Sequence, residues 1–316
     1  MAPVLEVRNL RRDVADRNIL SNISFTLEAG EILFVRGPSG VGKSLLLRAL
    51  ACLDHPQGGT LLLHGSPPAH VGYPAWRTAV SYVPQSRASS LRGTPAELYF
   101  NAQRFAAQRA RPRGDLPALI HDLGLEQVVL NQQWGELSGG QAQRVSLALS
   151  VALGPRVLLL DEPTSACDPV SALRVEQVLR TCGAALVWVT HDPQQPARVG
   201  GRILELPLGT VVHLPLPPPP PPLASLPPVQ MLIHPSAEGG GGGGGGEGSK
   251  HSSVPALDGG GARAGVGPAA AAAAPLLPAS RPAELRDGDA DVDVLYGDGA
   301  LSPPSPSQLR GAQGVP

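Results

Sequence analysis

Cysteine, aromatic residues, unbalanced charge and long apolar runs are all scarce in this chain. The three cysteines are Cys52, Cys167 and Cys182, with no Cys-x-x-Cys among them. That count excludes a disulfide framework and a cysteine-paired zinc site, and points to free thiols in a reducing compartment. Aromatic residues make up 3% of the sequence, too few for a base-stacking platform, and the net charge is −1. No nucleic acid is expected as a partner. No apolar run approaches the ~18–20 residues needed to span a bilayer. The opening stretch MAPVLEVRNL enters a strand-like alternation almost at once and leaves no room for a signal peptide. The expectation is a soluble, intracellular protein. Any work at a membrane would need a second chain.

Glycine and proline, by contrast, are abundant at 38 and 35 residues, and they crowd the C-terminal third. Past Leu214 come a proline run (Pro217–Pro222), a glycine run (Gly239–Gly246) and an alanine run (Ala269–Ala274). With few large apolar side chains among them, residues 215–316 cannot offset their ordering entropy, and disorder is expected there. Residues 4–214 remain as one domain, long enough for a sizeable core.

Within that domain LEVRNL (Leu5–Leu10) and SNISFTL (Ser21–Leu27) alternate like antiparallel strands. EILFVRG (Glu31–Gly37), RVLLLDE (Arg156–Glu162) and AALVWVTHD (Ala184–Asp192) are continuous apolar runs that end in glycine or polar residues, as buried parallel strands do. TLLLHG (Thr60–Gly65) and AVSYVPQ (Ala79–Gln85) read as further strands, GTVVHL (Gly209–Leu214) as an edge strand, and residues 94–153 as a helical lobe broken near Pro112, Gly124 and Trp134. Alternating strands and helices imply an α/β fold with a mainly parallel sheet covered on both faces. Sites in such sheets lie at the carboxyl ends of the strands.

Two stretches look like phosphate cradles. GPSGVGKS comprises Gly37, Pro38, Ser39, Gly40, Val41, Gly42, Lys43 and Ser44, and it matches G-x-x-x-x-G-K-[ST] between a strand and a helix. Its glycines let backbone N–H groups turn inward, the helix N-terminus adds partial positive charge, Lys43 would reach the outer phosphates, and Ser44 would ligate Mg²⁺. About 95 residues further on, LSGGQ (Leu137, Ser138, Gly139, Gly140, Gln141) opens another helix. At the end of VLLLDE, Asp161 is placed to hold Mg²⁺ and Glu162 to polarise an attacking water. Alone, this acidic pair could instead cap the helix that follows DEPTS.

Taken together, the P-loop, YVPQ with Gln85, LSGGQ, LLLDEP, SACD (Ser165–Asp168) and VTHD (Val189–Asp192) resemble the nucleotide-binding subunits of ATP-binding cassette (ABC) transporters over residues 4–214. The resemblance implies a P-loop NTPase cassette with an antiparallel β edge and a helical subdomain, ATP and Mg²⁺ as cofactors, and ATP hydrolysis coupled to transport. It implies that Gln85 contacts Mg²⁺ or the water, that His191 contacts the γ-phosphate, and that Asp168 communicates across a dimer. It also explains the second cradle. In this family two cassettes close head to tail, so Leu137–Gln141 would face the ATP held by the partner's P-loop. A homodimer, a separate multi-spanning membrane subunit and a place on the cytosolic face of a membrane follow as expectations. GPSGVGKSLLLRALACLDHPQGGTL and ALVWVTHD resemble most the stand-alone cassettes linked to bacterial iron export and plant aluminium tolerance, so export of a metal ion or small solute is implied. The alternative is a soluble ABC ATPase that is ribosome-associated or regulatory. Two positions depart from the family. Val14 stands where an adenine-stacking aromatic is usual, leaving Arg12 as a substitute, and Cys167 replaces the usual leucine before Asp168.

Overall fold

The protein is described here by a computed structural model, which covers residues 3–227 apart from 16, 86–90, 110, 216 and 218–221. Most of the segment expected to be disordered lies outside these residues.

Nine strands are present among the described residues: β1 (Leu5–Val14), β2 (Arg17–Leu27), β3 (Ile32–Arg36), β4 (Gly58–Leu63), β5 (Val80–Val83), β6 (Val157–Asp161), β7 (Ala185–Val189), β8 (Arg202–Glu205) and β9 (Thr210–His213). The helices are α1 (Lys43–Leu50), α2 (Pro68–Val71), α3 (Tyr73–Ala79), α4 (Pro95–Arg104), α5 (Ala106–Arg109), α6 (Leu116–Asp122), α7 (Gly139–Ala152), α8 (Pro169–Thr181) and α9 (Gln195–Val199). The larger sheet has the order β5-β6-β7-β3-β8-β9 and is parallel except for β9; the smaller is an antiparallel β2-β1-β4 sheet.

The parallel strands separate two cores by strict alternation. Leu33, Val35, Leu159, Val187 and Val189 point to one face, where they join Leu46, Leu47 and Leu50 of α1 and the inner side of the small sheet. Phe34, Leu158, Leu160, Leu186 and Trp188 point to the other, where they join Val145 and Leu149 of α7 and Val175 and Leu179 of α8. Burial on both faces is why these strands read as unbroken apolar runs. Helices α4 to α7 fall within the stretch 94–153 that reads as helical. The expected break near Trp134 is a 3₁₀ turn, Trp134–Glu136, whose tryptophan is fully buried.

The sequence pattern undercounts three features. The β1–β2 hairpin extends well past the alternating stretches, to Val14 and Arg17. Positive φ at Asn9 and Asn22 and register shifts beyond Val7 break the period of two, so paired residues there carry no pattern. β8, α9 and the α2–α3 pair are too short for periodicity to show. Past Leu214, Leu223–Ser225 form a 3₁₀ turn, and the carbonyls of Leu226 and Pro227 accept hydrogen bonds from Arg174 Nη2 (3.2 and 3.0 Å). A buried guanidinium on α8 with donors to spare fixes this short piece despite its composition.

Candidate functional site

The carboxyl ends of β3, β5, β6 and β7 lie along one edge of the parallel sheet, and the chemistry-bearing residues follow them. β3 leads into the Gly37–Ser44 loop. Gly42, at the N-cap of α1, has a φ of 104° in the left-handed region. A Cβ there would sit 2.7 Å from Ile19 Cγ2 of β2, so the position needs glycine for room as well as for conformation. No side chain caps α1, leaving its first N–H groups free of a capping partner. Lys43, nearly buried, donates from Nζ to the carbonyls of Gly37 (2.9 Å) and Pro38 (3.0 Å), so the lysine is folded into its own loop.

β6 ends at Asp161, which is 5% exposed and accepts a hydrogen bond from the Tyr82 hydroxyl on neighbouring β5 (3.0 Å). Burial, with Asp161 beside it, raises the Tyr82 pKa well above the ordinary phenol value and keeps the hydroxyl a donor. The next residue, Glu162, has φ 50°, a left-handed conformation that costs roughly 1–2 kcal/mol for a residue with a Cβ. Its backbone is held there from two sides. Its N–H donates to Val189 O (3.0 Å), and its carbonyl accepts from Gln143 Nε2 (2.8 Å). The twist places the carboxylate between two donors: Gln85 Nε2 lies 2.7 Å from Oε2, and His191 Nε2 lies 2.9 Å from Oε1. Three residues far apart in sequence, Gln85, Glu162 and His191, thus meet at the ends of three adjacent strands.

The second glycine-rich stretch is not part of that meeting. Leu137 is buried in the core on the α7 side and anchors the loop. Ser138 caps α7 in a reciprocal box: its Oγ accepts from Gln141 N (3.3 Å), and Gln141 Oε1 accepts from Ser138 N (2.9 Å). Gly140 lies against the loop after Glu162, where a Cβ would meet Ala166 O at 2.6 Å, whereas a Cβ on Gly139 would meet nothing within 4 Å. Among the described residues none of Ser138–Gln141 hydrogen-bonds the Gly37–Ser44 loop. Gly140 is therefore accounted for by packing within the chain, and Gly139 is not.

Asp168 is also away from the trio. It caps α8, accepting from the N–H groups of Val170 and Ser171 and from the Ser171 hydroxyl. Burial opposes its ionisation, but these bonds outweigh that and hold the carboxyl below its ordinary range. Cys167 borders a cavity of about 490 Å³ between the Glu162–His191 pair and α8, and burial pushes its thiol up to about 11. Arg12 is held by hydrogen bonds from its guanidinium edge. Its Nη1 is tied to the carbonyls of Asp13 and His55 and to Gln57 Oε1, all at 3.2–3.3 Å. Val14 is 40% exposed.

Sequence reasoning missed several residues that hold this arrangement: Tyr82, Gln143, Arg144, Glu176, Gln195 and Arg198. Arg144, buried on α7, donates to Gly140 O (3.1 Å) and Leu123 O (3.0 Å), and burial lowers its pKa. Gln143 joins α7 to the loop after β6 through Glu162 O and Ala166 N. The one signal in the sequence was a run of polar residues at positions of α7 that should face the core.

Comparison with known proteins places this geometry. The family model described as "ABC transporter" matches residues 20–165. The probable iron export ATP-binding protein FetA of Escherichia coli (strain K12) is 36% identical over 202 residues, spanning 61% of this chain and 87% of that protein. The chain belongs to the ATP-binding subunits of ABC transporters. It is an ATPase of that family. The putrescine transport ATP-binding protein PotG of the same organism is 34% identical to this cassette over 224 residues, 69% of the chain and 58% of PotG, so the cassette is little more than half the length of that relative. Among solved structures, a bacterial ABC transporter cassette determined as a dimer is 26% identical, covers 64% of this chain and 94% of its own, and superposes with a TM-score of 0.53. Among the described residues no helix is long and apolar enough to cross a membrane.

Proposed function

We propose that the cassette hydrolyses ATP at a site built from Gly37–Ser44, Gln85, Asp161, Glu162 and His191, and that two copies close on ATP through Leu137–Gln141. The observation that carries this is the Gln85–Glu162–His191 meeting at the end of the phosphate-cradle sheet. A carboxylate has about four acceptor sites, so Glu162 can hold both donors and still accept from a water. In that position it acts as the general base. Gln85 and His191 fix its rotamer, and the strained backbone aims it. Lys43, released from Gly37 and Pro38 by phosphate, would supply charge-assisted bonds to the outer phosphates. The donors Ser44, Asp161 and Gln85 are oxygen-bearing groups of the kind Mg²⁺ takes, and one carboxylate with a hydroxyl is the sparse protein set this ion uses beside phosphates. When bound, Mg²⁺ would supply positive charge that offsets the negative charge of the outer phosphates. Tyr82 keeps Asp161 oriented for that task.

Gly139 supports the dimer reading. Among the described residues nothing lies near where its Cβ would be, and its open N-terminal position on α7 leaves backbone donors for an anion from outside. The membrane partner is a separate multi-spanning subunit, with this chain peripheral on the cytosolic side. FetA is named for iron export while PotG is named for putrescine transport, and the export reading rests on the first of these.

Composite sites are tested by mixing. Lys43→Ala spoils the chain's own cradle and Ser138→Arg spoils the face offered to a partner. Each alone should be nearly inactive, and a mixture should regain ATP-dependent dimerisation, because one of its two sites is then whole. Absence of recovery, with both variants folded, refutes contact in trans. Affinity capture from detergent-solubilised membranes should bring down a multi-spanning protein; a ribosomal or purely soluble complex instead would replace transport with the soluble-ATPase reading.

A further inference from the structure

The reaction reading above uses Glu162 and His191, but what holds them together lies behind them. Thr190–Gln194 form a turn between β7 and α9, and α9 is only five residues long with no side-chain cap. Such a segment has little packing of its own. Yet Asp192, next to His191, is gripped: its Oδ2 accepts from Arg198 Nη2 at 2.7 Å. The same guanidinium reaches inward to α8, with Nη2 at 2.7 Å from Glu176 Oε1 and Nε at 3.3 Å from Oε2. Glu176 is 4% exposed, and a buried carboxylate is costly unless it is hydrogen-bonded, as this one is. A second arm leaves the same carboxylate. Gln195 Nε2 donates to Glu176 Oε1 (2.9 Å) and to Thr164 Oγ1 (3.2 Å), two residues past Glu162.

We propose that Glu176, Arg198 and Gln195 form a positioning clamp whose two arms end beside His191 and beside Glu162, and so set the separation of that pair. None of the three touches the reacting atoms. The clamp runs through α8, whose N-terminus carries the Asp168 cap, so a shift of α8 is transmitted to His191 through one buried carboxylate. The proposal rests on the roles given above to Glu162 and His191.

The test separates positioning from folding. Arg198→Met keeps most of the side-chain volume but removes both grips, and it strands the Glu176 charge, so it lowers the melting temperature. Adding Glu176→Gln removes the stranded charge while leaving Asp192 unclamped. In the double variant the melting temperature should recover toward that of the unaltered protein. Its kcat should stay about ten-fold low with KM for ATP within about two-fold, because ground-state nucleotide binding does not use the pair. Amide exchange at Asp192, Gln194 and Gln195, measured without nucleotide, should be faster in both variants, and Arg198→Lys should restore part of kcat. If kcat recovers together with the melting temperature in the double variant, or if KM rises instead, the clamp is only structural and the proposal fails. Inactive Glu162→Gln and His191→Ala beside a fully active double variant would sink the clamp and leave the site reading standing.

Discussion

Alanine at Gly140 and alanine at Gly139 should behave as opposites, although the two positions are adjacent in one motif. At Gly140 the new Cβ would sit 2.6 Å from the carbonyl oxygen of Ala166. Ordinary contact needs about 0.8 Å more, and the obstacle is backbone, so the loop Ala166–Asp168 must give way. Overpacking of this kind costs about 1–3 kcal/mol, and the helix gains less than the ~0.5–1 kcal/mol of an interior Gly→Ala change, because Gly140 is in the first turn. A net loss of about 1–2 kcal/mol lowers the melting temperature by about 2–8 °C for a domain of this size. Displacing Ala166 also pulls on Gln143 Oε1, which its N–H donates to, and through Gln143 on the Glu162 carbonyl. Gly139→Ala meets nothing within 4 Å, so its melting temperature should be unchanged or slightly raised. Its turnover should nonetheless fall at least ten-fold, since the methyl occupies the face offered to the partner's phosphate. Calorimetry without nucleotide and steady-state ATPase with it check both halves. Equal melting temperatures for Gly140→Ala and the unaltered protein would refute the close approach. Full activity of Gly139→Ala would refute the role given to that face.

Glu162→Gln keeps the two flanking donors in place but removes the base; turnover should fall by roughly 10²-fold or more while ATP binding persists, measured by filter binding and phosphate release. Truncation after Leu214 should lower the melting temperature by about 2–4 °C, through loss of about 1 kcal/mol of hydrogen bonding at Arg174, whereas truncation after Pro227 should leave it unchanged. Asp168→Ala removes the α8 cap and should cost about 1 kcal/mol at neutral pH. Because the native carboxyl is held below its unfolded value of 3.8, the charged cap stabilises fully above that pH and progressively less as pH falls through the native value. The melting-temperature difference between Asp168→Ala and the unaltered protein should therefore narrow below about pH 4, as followed by circular dichroism.

Sequence alone determined the family and the position of its motifs. Gly37–Ser44, Leu137–Gln141 and the Asp161–Glu162 pair are contiguous, and contiguous stretches carry their chemistry in residue order. The doubly buried strands were legible for a related reason: burial on both faces leaves an unbroken apolar run such as VLLL. What pattern could not give was anything decided between elements. That Gln85, Glu162 and His191 touch follows from the order β5-β6-β7, which juxtaposes strand ends about 80 and 30 residues apart in sequence. That Gly140 serves packing and Gly139 does not depends on where the Ala166 carbonyl lies, and no local periodicity encodes that. Glu176, Gln195 and Arg198 looked like ordinary polar residues on short helices. Only the folding of α9 onto α8 buries a carboxylate there, and a buried charge must find partners, so tertiary structure alone turned three unremarked side chains into a connected network.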